Sequence, residues 1–70
     1  MKISAEDKRF ILENLECGAE LLQAQDIRRI IIELNVLELK EGFDRYEDGP
    51  NEFGRKMERI MDRLYYDNRA

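Results

Sequence analysis

Between Ile27 and Tyr46 the chain carries two apolar stripes. At about 100° per residue, Ile27, Ile30, Ile31, Leu34 and Leu37 share one face of a helix, while Ile32, Val36, Leu39, Phe43 and Tyr46 share nearly the opposite one. A short helix in a small monomer buries one stripe, so the second asks for cover from the rest of the chain, from a partner, or from both. A β-strand is the competing reading of Ile30 to Ile32, but the flanking spacing is helical and no hairpin turn lies near.

The pattern predicts three main helices. Ser4 with Asp7 three residues on is a helix start, where hydroxyl and carboxylate can each satisfy a free backbone N–H, and Phe10, Ile11, Leu12 and Leu15 supply an apolar side; this predicts a helix over 5–17. Gly18 reads as its left-handed stop. Ala19, Leu21, Leu22 and Ala24 leave room for a short extra helical turn at 19–24. Asp26 is placed to cap a helix over 27–40, whose end is open because Gly42 interrupts the pattern while Phe43 and Tyr46 continue it. Asp48, Gly49 and Pro50 break the chain, Asn51 can cap the next helix, and Phe53, Met57, Ile60, Met61, Leu64 and Tyr65 mark that helix as amphipathic over 51–67. Glu52 and Lys56 are spaced for an ion pair on its exterior. Tyr65 falls on the buried side and Tyr66 away from it.

The predicted fold class is therefore all-α: residues 1–70 as a single small three-helix domain with a short extra helical turn, completed by association into a dimer or heterocomplex. Size supports the association. A domain this small hides only roughly 60 % of the surface its unfolded chain exposes, and chains of this length often add a disulfide, a metal or a second subunit. One cysteine and no histidine leave the subunit or partner. A row of three helices, with the first and last covering opposite faces of the middle one, is the alternative that needs no partner, but its outer helices would be covered on one side only.

Composition narrows the chemistry. Hydrophobic residues at 43 % suffice for a core and charged residues at 40 % suit a solvated exterior. The chain lacks histidine and threonine and has Ser4 as its only serine, so serine or cysteine triads with histidine are excluded and the expectation is a protein that is not an enzyme, with no catalytic residue and no cofactor. Cys17, between Glu16 and Glu20, reads as a small buried hydrophobe in a reducing compartment, with a cross-link between two chains as the other reading. A calcium loop counted from Asp44 fails because Tyr46 and Arg55 stand where ligands belong, and no metal site is expected. There is no signal-peptide pattern and no run apolar enough for a membrane, so the expected location is the cytoplasm.

Charge points to a partner. Twelve basic against 16 acidic residues give a net charge of −4 and disfavour nucleic acid. Glu38, Glu41, Asp44, Glu47, Asp48 and Glu52, against Lys40 and Arg45, concentrate an equal net charge of −4 into residues 38–52, around Phe43 and Tyr46. The expected function is a protein-binding module, of the inhibitor, immunity-factor or regulator kind. Its contact residues are Ile32, Val36, Leu39 and Phe43 on the helix and Tyr46, Asp44, Glu47 and Asp48 in the acidic lobe; its partner is another protein, a second copy, or both, with no small-molecule ligand. A solvated turn with inward aromatics is the plainer reading of the lobe. Two further alternatives are a nucleic-acid-binding regulator using Arg28, Arg29 and the basic side of the last helix, and an acidic mimic of nucleic acid.

Overall fold

Ser4 opens the first helix as its spacing predicts: Oγ accepts from the amide of Asp7 at 3.1 Å. The computed structural model describes residues 2–44 and 49–68. Its elements are α1 (Ala5–Asn14), α2 (Gly18–Ala24), α3 (Ile27–Glu41) and α4 (Glu52–Asn68). Among the described residues there is no strand, only a single antiparallel bridge between Phe43 and Pro50.

The first helix is shorter than its apolar pattern. Leu15 leaves helical geometry at φ −111° and ψ 128°, which turns the chain toward α2 while its N–H still reaches the carbonyl of Ile11. Gly18 is then the first residue of α2 and not a left-handed stop. It is glycine because the α1–α2 corner is tight: an added Cβ would lie 2.5 Å from the backbone oxygen of Ile11. The left-handed position is Gln25, at φ 56°, ending α2. Asp26 caps α3 by accepting from the Arg29 amide at 3.1 Å.

Asn51 organises the passage from α3 to α4. Its Oδ1 accepts from the Gly54 amide at 2.8 Å, and its Nδ2 donates to the Glu41 carbonyl and to Asp44 Oδ1 at 3.1 and 3.0 Å. Its own amide donates to the Gly42 carbonyl at 2.7 Å. One side chain thus caps α4 and holds the end of α3, satisfying groups that helix ends leave open. Gly42 ends α3, so the helix breaks there and Phe43 lies one residue beyond the cap.

The helices close around one core of Phe10, Ile11, Leu15, Ile30, Leu34, Met57, Ile60 and Leu64. Ile11, Ile30, Leu34, Met57, Ile60 and Leu64 are almost wholly buried, each worth about 1.5–3 kcal/mol of transfer free energy. The arrangement is not a row. α1 reaches α4 directly: the Phe10 and Phe53 rings stand 5.5 Å apart, and the N-terminal segment exchanges hydrogen bonds between Lys2 and Asn68. With α1 and α4 in contact on the inner side of α3, the outer side of α3 is left bare. Leu12 and Tyr65, which the spacing assigns to buried sides, are exposed instead.

Candidate functional site

α3 separates its two stripes cleanly. Ile30 and Leu34 are fully buried and Ile27, Ile31 and Leu37 pack against the core, whereas Ile32 is 46 % exposed, Val36 41 %, Leu39 67 % and Phe43 43 %. Ile32, Val36 and Leu39 follow one another at steps of four and three, which keeps them on one side of the α3 axis, and Phe43 comes four residues later, one beyond the helix cap. Gly42 has φ −87° and ψ 0°, so the chain reaches Phe43 without reversing, and Phe43 is bridged to Pro50. Contiguous exposed apolar side chains of this kind mark contact surfaces more often than bare surface.

The flanks of the stripe are charged. Glu33, Val36, Lys40 and Glu41 line one groove together with Asn14, Leu15, Glu16 and Cys17 from the α1–α2 corner, so three acids share it with a single lysine. Glu33 is already ion-paired with Arg29, Nε to Oε1 at 3.1 Å. Lys40 pairs with no acid among the described residues. At the end of the stripe Asp44 is exposed and held by Asn51, beside exposed Glu41. Tyr46, Glu47 and Asp48 lie outside the described residues.

Glu38 does not belong to the acidic surface. It is 6 % exposed, turned toward α4, with Oε2 buried and without a hydrogen-bond partner. Burial first, then a hydrogen bond to Glu58 and repulsion from it, push its carboxyl from the ordinary value of 4.5 up to about 7. The helical count places Glu38 beside Leu34, one turn on along the buried stripe, so its burial is readable from spacing and only its charge argues the other way.

The basic side of α4 is partly engaged within the fold. Arg63 forms a forked pair with buried Asp7, at 3.0 and 2.8 Å, and Lys56 sits 5.1 Å over the Phe10 ring, although the spacing predicts Glu52 as its partner. Asp7 raises the guanidinium pKa of Arg63 further above its ordinary value, chiefly through this hydrogen bonding. Arg55, Lys56 and Arg59 border a broad open groove with Asp44, Glu52 and Phe53. Arg63 lines it too, so four basic residues share the groove with two acids. Tyr65 and Tyr66 are both exposed and meet edge to face at 5.3 Å. Cys17 is a free thiol of intermediate burial. Among the described residues no three of His, Cys, Asp or Glu are grouped as metal ligands, and no helix is long and apolar enough to cross a membrane.

Sequence spacing locates the α3 stripe but misses its neighbours. The forked Asp7–Arg63 pair spans 56 positions and carries no local signal, and the Glu38–Glu58 contact depends on how α3 crosses α4. Compared with protein-family models, with characterised proteins and with solved structures, the chain matches none.

Proposed function

We propose that this chain is a non-enzymatic protein-binding module that acts in the cytoplasm through the outer face of α3. The observation that carries the reading is the row of Ile32, Val36 and Leu39 on the side of α3 away from the core, followed by Phe43 just past the helix cap, all four more than 40 % exposed. Apolar side chains in the middle of a contact supply most of its energy, and the charged residues beside them, Glu33, Lys40, Glu41 and Asp44, set orientation and encounter rate. An inhibitor, immunity factor or regulator uses a surface of this kind. The half-buried Cys17 and the absence of a second cysteine suit a reducing compartment.

The test compares wild-type and Leu39→Lys chains as immobilised baits in extract of the native cell. Leu39 is the most exposed of the four, so the fold survives its replacement and the contact does not. The reading expects a protein retained by the wild type and lost by the variant; identical retention by the two baits sinks it.

A further inference from the structure

We propose that the occupant of the α3 face is a second copy of this chain, its α3 packed antiparallel across a two-fold axis passing between Val36 and Leu39. This rests on the docking reading above and names its partner. The steps of four, three and four from Ile32 to Phe43 read the same in both directions. They are also the d-a-d-a steps of a heptad, the spacing with which two helices interlock side chains. Turning one copy end for end sets Val36 of each chain against Leu39 of the other and carries Ile32 of each toward Phe43, which lies one residue past the other chain's α3 cap. A two-fold contact makes each of these residue pairs twice.

Charge selects the same orientation. With Val36 and Leu39 as the a and d positions, Glu33 and Lys40 occupy successive e positions on one flank, the flank where they share a groove with Val36. Antiparallel packing brings e positions of the two chains together, so Glu33 of each chain meets Lys40 of the other, a lysine with no acid of its own among the described residues. Two cross-chain ion pairs result. The same turn carries the Arg28 and Arg29 end of each helix toward the Glu41 and Asp44 end of the other. A parallel pair gains one attraction, Arg28 to Glu33, but sets Arg29 against its own copy at an a position, sets Asp44 near its own copy and leaves Lys40 without an acid. The antiparallel pair satisfies more charges and opposes fewer.

Sedimentation equilibrium of the full chain over about 10 µM to 1 mM covers the range in which a contact of this size forms. The expected result is a monomer–dimer equilibrium that Leu39→Lys weakens at least about ten-fold, with the helical circular dichroism of the monomer unchanged. Lys40→Glu and Glu33→Lys each weaken the dimer about five-fold by turning two attractions into repulsions, and the double exchange restores it. A chain monomeric throughout the range, or a dimer indifferent to Leu39→Lys, overturns the proposal. A double exchange that fails to restore what both single exchanges lose overturns the antiparallel arrangement. Failure here is separable from failure of the docking reading: a strict monomer that still loses a foreign protein on Leu39→Lys keeps the face and rejects self-pairing.

Discussion

Gly42 and Gly54 meet backbone to backbone where α3 gives way to α4. A Cβ on Gly42 would lie 2.9 Å from the Gly54 Cα, and one on Gly54 would overlap the Gly42 carbonyl oxygen and come within 2.9 Å of Pro50 Cβ. The contact lets Asn51 bridge both helix ends. Gly54 sits inside α4, where alanine ordinarily gains about 1 kcal/mol through helix propensity. Here the sign reverses. Gly54→Ala is expected to destabilise by about 1–3 kcal/mol, the usual cost of forcing atoms into a packed site, measured as a lower urea midpoint at unchanged slope.

Acidity should stabilise the fold over a defined window. Glu38 holds its proton up to about pH 7 when folded, against the ordinary carboxyl value of 4.5, because burial disfavours its charge and Glu58 lies against it. The folded chain therefore binds more protons than the unfolded one between these values, and stability falls as pH rises through them, flattening above about pH 7. The expected loss attributable to Glu38 is roughly 2–4 kcal/mol. Urea titrations at intervals across the window read it directly. Glu38→Gln should remove most of the slope and raise stability at alkaline pH; a variant with the wild-type slope would place the titration elsewhere.

Asp7 and Arg63 should be strongly coupled. Asp7 is 4 % exposed, and both of its carboxylate oxygens accept from Arg63, so Arg63→Met strands a buried charge and costs about 1–3 kcal/mol. Removing both partners should cost less than the single losses combined. A double-mutant cycle with Asp7→Asn is expected to give an interaction energy above about 1 kcal/mol, and simple additivity would show the pair to be idle.

Gln25 offers a gain. Its φ of 56° is strained for a residue with a Cβ, and its side chain is exposed, so glycine meets no lost packing. Gln25→Gly should stabilise by about 0.5–1 kcal/mol, less than the full left-handed cost because glycine also frees the unfolded chain. A higher thermal midpoint checks it.

Local chemistry was legible in the sequence. Ser4, Asp26 and Asn51 cap the helices they precede, because capping needs only residues three positions apart. The two faces of α3 come equally from periodicity. Pairings between distant segments were not legible: Asp7 shows the spacing of a cap but its carboxylate is taken by Arg63, and Glu38 counts as one more surface acid until α4 is laid across it. Gly18 and Gly54 carry the same lesson. Glycine signals that room or freedom is needed, and only the packed fold tells that here it is room.

α3 places two kinds of constraint on one stretch of fifteen residues. Substitutions at Ile30 or Leu34 are filtered by folding, before any binding can be tested. Those at Ile32, Val36 or Leu39 escape that filter and are judged by whatever they touch. Specificity can therefore drift along one side of the helix at little structural cost, so that related chains could change allegiance while keeping the same architecture.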